Sequence, residues 1–311
     1  MKHRLTDRLR RVVERRRSLL CVGIDPDPAR IPSVLGPTTD AARAVAEFCR
    51  EIILATADTA AAYKFNLAFF EALGARGLDT LQALVELVPA DLVTIADAKR
   101  GDIGNSASFY ARAFFERLRF DSVTLSPYMG KDSVLPFLEY EEKGIFLLVR
   151  TSNPGALDFQ TLRVGDEPLY MAVAKRAFEW SRSAPGMLGF VVGATDLDAL
   201  VRLREVGPDT PFLIPGVGAQ GGSAREVVQA AGSGPVLVNS SRSVIYAGSG
   251  NDFAERAAQA AVRLRDELWS ARQDTMNAAA SEGPTDSPRQ ASRMRSDSGR
   301  PRDPDRTQGG T

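Results

Sequence analysis

Histidine is almost missing from this 311-residue chain: there is one, His3, close to the start. That argues against a Ser-His-Asp relay and against a histidine-ligated metal. Cysteine is nearly as scarce. Cys21 and Cys49 lie in apolar runs, form no CxxC and cannot build a disulfide framework, so a reducing compartment, the cytoplasm, is expected. Neither sign of charge is in excess, with 39 Lys+Arg against 39 Asp+Glu. A nucleic-acid partner held by a broad basic surface is therefore not expected. No apolar run approaches the roughly 18 residues of a membrane span. The basic start, MKHRLTDRLRRVVERRR, lacks the apolar segment and cleavage site of a signal peptide. Lysine is rare too, supplying six of the 39 basic residues. Two of them, Lys64 and Lys99, fall in strand-like apolar runs, where both burial and composition make a lysine unexpected.

What is present is ordinary globular composition, 44% hydrophobic and 25% charged, enough to bury a core. The N-terminal stretch reads as an amphipathic helix with Leu5, Leu9, Val12 and Val13 on one face, closing one end of a domain; membrane contact is the other reading. Eight short apolar runs follow: Leu19–Ile24, Ala61–Phe65, Leu92–Ala96, Ser122–Leu125, Ile145–Val149, Gly189–Val192, Phe212–Pro215 and Val236–Asn239. Several are continuous rather than alternating, as in strands buried on both faces. Helical patterns lie between them, over Ala41–Ala57, Leu78–Val88, Ser106–Arg119, Lys131–Glu142, Leu169–Ser181, Leu197–Glu205 and Ala224–Ala231, and Phe253–Trp269 follows the last. Eight βα units in about 250 residues match an α/β fold of the (β/α)8 TIM-barrel type, with an open doubly wound sheet as the alternative. From Ala271 onward the chain has no aromatic residue and is dominated by Ser, Pro, Gly, Arg and Asp. The expected organisation is a barrel domain over 1–270 and a disordered, low-complexity tail over 271–311.

In such a barrel, chemistry gathers at the C-terminal strand ends. Those ends carry Asp25; Lys64; Asp97, Lys99 and Asp102; Thr151 and Ser152; Pro215 with the glycine-rich run after it; and Ser240, Ser241 and Arg242. In TIADAKRGDIGN, residues two apart in an extended segment share a face, so Asp97 and Lys99 point into the mouth, and Gly101 lets the chain turn to Asp102. Lys64 on the adjacent strand adds a second cation. Buried charges survive when paired, so Lys64, Asp97, Lys99 and Asp102 are expected to form a compensated array of alternating sign. A salt bridge at the barrel rim is the competing reading. A carboxylate on each side of Lys99 keeps its ammonium charged, which suits a proton donor to a carbanion and not a Schiff-base nucleophile.

IPGVGAQGGSAREVV contains G-x-G-x-x-G from Gly216 to Gly221, between a strand and a helix. Alone this suggests a dinucleotide fold. It comes at the seventh strand, however, and Arg242 rather than an acidic residue lies about twenty positions on, as in the phosphate site of a barrel. Ser152 and Asn153, in VRTSNPGA, offer a hydroxyl and an amide, though a helix cap or turn explains them equally well.

CVGIDPDP, YKFNLAFFEALG, IADAKRGDIGNSA, VRTSNPGA, IPGVGAQGG and NSSRSVIYA together resemble the orotidine 5′-phosphate decarboxylase family in its longer bacterial form, over roughly residues 18 to 248. The resemblance implies conversion of orotidine 5′-monophosphate to UMP. It implies that Asp25 and Lys64 hold the ribose hydroxyls, that Asp97 lies against the substrate carboxylate, and that Lys99 protonates C6. It also implies that Asp102 reaches a neighbour's site across a homodimer interface. Ser152 would bond the pyrimidine, while Gln220 and Arg242, beside Pro215 and Ser241, would grip the phosphate. No metal and no organic cofactor is implied. Gly104-Asn105-Ser106 and Ser241-Arg242 are mild departures from the family's usual runs. A relative of the barrel group that uses magnesium, such as a 3-keto-gulonate-phosphate decarboxylase or hexulose-phosphate synthase, is a rival, but it calls for a glutamate where this chain has Lys64. A non-catalytic nucleotide-binding barrel is a further reading, opposed by the cost of an unused charge array.

Overall fold

Short apolar runs need both faces covered, and the amphipathic stretches between them supply the cover. A computed structural model describes residues 4–35, 40–217 and 223–281. The first element, α1 (Arg4–Arg16), buries Leu5, Leu9, Val12 and Val13 along one stripe. Its Arg8 donates to the Asp121 carboxylate at 2.7 Å and to the carbonyls of Ala90 at 2.9 Å and Leu92 at 2.5 Å. These residues lie just before two barrel strands, so α1 closes the N-terminal end of the barrel.

Strands and helices then alternate. β1 (Leu20–Ile24) leads to α2 (Ala41–Thr56), β2 (Ala62–Asn66) to α3 (Leu67–Glu71) and α4 (Gly74–Leu87), and β3 (Val93–Arg100) to α5 (Gly104–Arg112). β4 (Ser122–Leu125) leads to the single turn α6 (Leu135–Leu138). β5 (Gly144–Arg150) is followed by a small hairpin of β6 (Arg163–Val164) and β7 (Glu167–Pro168), then α7 (Leu169–Ser181). β8 (Met187–Val192), α8 (Leu197–Val206), β9 (Phe212–Pro215), α9 (Ala224–Ala231), β10 (Val236–Ser240), α10 (Arg242–Ile245) and α11 (Phe253–Ser281) complete the described order.

The sheet is a closed barrel in the order β1-β2-β3-β4-β5-β8-β9-β10, and β10 returns to β1 with Leu20 opposite Val238 and Cys21 opposite Asn239. All eight ladders are parallel. This is the TIM barrel expected, and the closing ladder rules out the open sheet. β1, β4, β8 and β10 are buried at every residue, as strands covered outside by helices and filled inside by side chains must be.

Local departures have local causes. The helix expected over Lys131–Glu142 is reduced to a 3-10 turn at Lys131–Ser133 and to α6. A tight turn, in which the Lys143 amide donates to the Tyr140 carbonyl, brings this charge-dense stretch back to β5. α3 and the β6–β7 hairpin are too short to leave a periodic signal.

The boundary at 270 falls inside α11. Phe253, Ala257, Ala261, Leu268 and Ala271 form a buried stripe, packed against α2 and α9. Arg272, assigned to the tail by composition, is buried, and its guanidinium donates to the carbonyls of Gly232 at 2.8 Å, Ser233 at 2.6 Å and Gly234 at 3.1 Å. Apolar content misses an arginine that binds backbone, and the stretch after it keeps good helix formers in Met276, Ala278 and Ala280. The rest of the expected tail, 282–311, lies outside the described residues. Arg272→Ala leaves three loop carbonyls without their donor and is expected to lower stability by roughly 2–3 kcal/mol in urea denaturation. An unchanged midpoint would show that the helix end contributes nothing to the barrel.

Candidate active site

Four charged side chains meet over the C-terminal end of the barrel. Lys64, in β2, sits between two carboxylates: its Nζ lies 2.7 Å from Asp97 Oδ2 and 3.6 Å from Asp25 Oδ1. The other oxygen of Asp97 receives Lys99 Nζ at 2.5 Å and the Thr124 hydroxyl at 3.1 Å. The signs therefore alternate along Asp25, Lys64, Asp97 and Lys99. Lys64 is 5% exposed. Burial by itself would lower the pKa of its ammonium, but attraction to Asp25 and Asp97 outweighs this, and the net shift is upward. Burial likewise opposes ionisation of Asp97, yet Lys64 and Lys99 together hold its carboxyl down at about 2. The Asp97 side chain is 12% exposed and that of Lys99 51%, so the array runs from the interior out to the open mouth.

β3 presents these groups through a bulge, where simple alternation was expected. Its register against β4 shifts between Ala96 and Arg100, and Lys99 takes a left-handed backbone, φ +49°. Such a conformation in a residue with a Cβ costs on the order of 1–3 kcal/mol and persists when its surroundings enforce it. They do so here. The Thr124 hydroxyl accepts the backbone N–H groups of both Ala98 and Lys99 at 3.0 Å, standing in for the missing ladder bonds. Arg100, next in sequence, donates to the Ala98 carbonyl at 3.0 Å, pairs with Glu71 at the end of α3, and lies over the Tyr110 ring of α5.

Asp102 is not part of this array. Its Oδ1 accepts the Ile103 amide at 2.8 Å, and among the described residues it makes no ion pair. Within one chain the fourth charged place, expected for Asp102, is taken by Asp25. Asp102 follows the end of β3, outside any helix or strand, and its carboxylate is taken up by the backbone of the next residue.

The mouth has two lobes that share Lys64, Asp97 and Pro215. One, about 180 Å³, is lined by Asp25, Gly216, Asn239, Ser241 and Arg242 among others. The second, about 380 Å³, is walled by Leu148, Val191 and Leu213, with Lys99, Ser152 and Gln160 at its polar side. In the first lobe two buried acceptors, Asp25 Oδ1 and Asn239 Oδ1, have no hydrogen-bond partner. Tyr246, just after α10, fastens the chain that leaves β1: its hydroxyl accepts from the Asp27 amide at 2.7 Å and donates to the Asp25 carbonyl at 3.2 Å. Arg242 opens α10, is exposed, and makes no ion pair among the described residues. Gly216 takes φ +101°, a conformation open to glycine. Gln220, with Gly218, Gly221 and Gly222, lies outside the described residues.

In the second lobe, Gln160 holds the strand end rigid. Its Oε1 accepts the Thr151 amide at 2.8 Å, and its Nε2 donates to the Thr151 hydroxyl at 2.8 Å. Arg150 pairs with Asp196 at 2.8 Å, and Gly193 lets the Ser152 backbone approach, since a Cβ there would stand 2.8 Å from the Ser152 nitrogen.

Residues 18–257 match the family model described as the orotidine 5′-phosphate decarboxylase / HUMPS family. The chain belongs to this family. Relatives within it include the orotidine 5′-phosphate decarboxylases of Dehalococcoides mccartyi, 48% identical over 269 residues, and of Flavobacterium johnsoniae, 47% identical over 268. These alignments cover 84% and 85% of this chain and 96% of each relative. Among solved structures, the OMP decarboxylase of Leishmania donovani is 40% identical with a TM-score of 0.71, covering 84% of this chain and 98% of that one. The UMP synthase of the same organism is also 40% identical, TM-score 0.73, and there the chain spans only 57% of the longer protein.

Of the family positions singled out in the sequence, Asp25, Lys64, Asp97, Lys99, Ser152, Pro215, Ser241 and Arg242 all line the two lobes. Thr124, Gln160, Asn239 and Tyr246 were not singled out. Thr124 and Asn239 had a signal, each being a polar residue inside a buried strand, whereas Gln160 and Tyr246 act from loops and left none. The depressed carboxyl of Asp97 links to stability with a definite sign. Its ordinary value is 3.8 and its folded value about 2, so its contribution is present above about pH 4 and disappears as pH falls toward 2. Relative to Asp97→Asn, the native chain is expected to lose roughly 2 kcal/mol over that window in acid-titrated denaturation. Parallel curves for the two proteins would contradict the ion-pair geometry.

Proposed function

We propose that the chain decarboxylates orotidine 5′-monophosphate to UMP, with Lys99 as the proton donor. The observation that carries this reading is the alternating array, which places an ionised carboxylate and an ammonium 2.5 Å apart at the mouth of a family barrel. Loss of carbon dioxide from C6 leaves a carbanion that no organic cofactor delocalises in this reading. The site must favour that charge over the starting carboxylate. Asp97, kept anionic by two lysines, opposes the substrate carboxylate. Lys99, half-exposed toward the larger lobe, meets the developing charge at C6 and delivers its proton there. The apolar wall of Leu148, Val191 and Leu213 takes the flat pyrimidine face, and Ser152 bonds its edge. Asp25 and Lys64 serve the ribose, while Arg242, with Ser241, Pro215 and Gln220, serves the phosphate. Binding energy from that remote end orders the reacting end.

The magnesium-dependent alternative fits less well, because the Lys64 ammonium fills the space between Asp25 and Asp97 and repels a divalent cation. Activity that survives EDTA is expected on the present reading. The chain acts in the cytoplasm, on a small-molecule substrate and not on nucleic acid, and no described helix is long and apolar enough to cross a membrane. It works as a homodimer. Ile103, Phe109 and Tyr110, beside Asp102, expose apolar surface that a second copy would cover, and Asp102, without an ion pair in its own chain, is available to the partner's site.

Lys99→Ala should keep the native unfolding profile and lose at least about a thousandfold in kcat, followed by the ultraviolet absorbance of the substrate. Near-normal turnover in that variant would end the assignment. Asp102 in trans makes a separate expectation: mixing Lys99→Ala chains with Asp102→Asn chains, each weak alone, restores turnover, because one hybrid site regains both native groups. No recovery after subunit exchange would place Asp102 outside the neighbour's chemistry.

A further inference from the structure

Thr124 is 1% exposed, a polar side chain in β4, which is buried at every residue. A threonine hydroxyl has one proton to give and two lone pairs to fill. All three are in use. It accepts the backbone N–H groups of Ala98 and Lys99, each at 3.0 Å, and donates to Asp97 Oδ1 at 3.1 Å. No bonding capacity is left over for a ligand, although Thr124 borders the larger lobe.

The partners of this one oxygen meet on a single side chain. Asp97 Oδ1 is also the atom that receives Lys99 Nζ, at 2.5 Å. The hydroxyl therefore fixes Lys99 at both ends. At the root it takes the amide of a residue held at φ +49°. At the tip it holds the carboxylate oxygen on which the ammonium rests. Between them runs a flexible stem, half-exposed to the mouth. A long, exposed side chain samples many rotamers, and a reacting group drawn from such a spread reacts slowly unless its geometry is set beforehand. Asp97 is fixed as well. Its oxygens face different ammonium groups, Oδ1 that of Lys99 and Oδ2 that of Lys64, and the bond from Thr124 opposes rotation of the carboxylate between them. Packing alone would be met by a valine, which has the same shape and no hydroxyl.

We infer that Thr124 is a positioning residue, whose hydroxyl aims Lys99 and Asp97 at the reacting carbon without touching the substrate. This rests on the proposed decarboxylation and adds to it the group that sets the aim.

The test compares the full-length native chain with Thr124→Val, Thr124→Ser and Thr124→Ala. Valine keeps the shape without the hydroxyl. Serine and alanine both lack the methyl and differ by the oxygen, so a packing defect cancels between them. These are separate comparisons, and either decides the result if a variant of the other does not fold. kcat and KM on orotidine 5′-monophosphate are measured beside UMP affinity by calorimetry. The expected outcome is a kcat about a hundredfold lower in the valine and alanine variants and restored to within roughly threefold of native by serine, with UMP affinity changed by no more than about twofold throughout. Native-like kcat in the valine and alanine variants, a serine variant as slow as alanine, or equal losses in kcat and UMP affinity overturn the inference, while native turnover leaves the proposed activity standing. A native chain that does not turn over the substrate overturns both.

Discussion

A single buried ammonium holds the site together. Lys64 reaches the barrel mouth from inside β2, where desolvation works against its charge, and it stays protonated because Asp25 and Asp97 stand on either side. Desolvation and attraction are both large in such a setting, and the balance tips only when partners are close and well aligned. The same contacts bind the ends of β1, β2 and β3 to one another. Removing one carboxylate would leave the lysine uncompensated, and removing the lysine would leave two carboxylates facing each other. Fold and chemistry therefore share the same side chains.

The second constraint is the backbone that brings Lys99 to this array. A regular strand would have continued its ladder with β4. Instead the chain bulges, Lys99 goes left-handed, and the Thr124 hydroxyl takes over two amide bonds while donating to Asp97. Arg100 secures the far side through Glu71 and the Ala98 carbonyl. Local strain of this kind collects where a side chain must be aimed, and the surrounding packing sustains it. It leaves the Lys99 ammonium on Asp97 and open to the larger lobe at once, an arrangement suited to a group that gives up a proton and recovers it.

The lobes divide the labour by polarity. The smaller is rich in hydroxyl, amide and charged groups, whereas the larger has an aliphatic wall with polar groups at one edge. Lys64, Asp97 and Pro215 belong to both, so the two lobes are held in fixed relation to each other.

The order and kind of the barrel elements were legible in the residues. Eight apolar runs, spaced by amphipathic stretches, can bury their faces in few ways, and β4 and β9 begin and end where those runs do. Rare lysines in apolar runs marked the charge centre for the same reason: burial is costly enough that such residues signal a partner. Partnership itself is a matter of three dimensions. Which carboxylate completes the array within one chain, Asp25 rather than Asp102, depends on how neighbouring strands are staggered and on where the chain leaves β3. Arg272 becomes structural because α11 passes over a loop forty residues earlier in the chain. The Asn239 amide fits because Gly23, more than two hundred positions away, has no Cβ to meet it. One-dimensional pattern records what each residue prefers as its surroundings, and only the closed barrel decides which residues supply them.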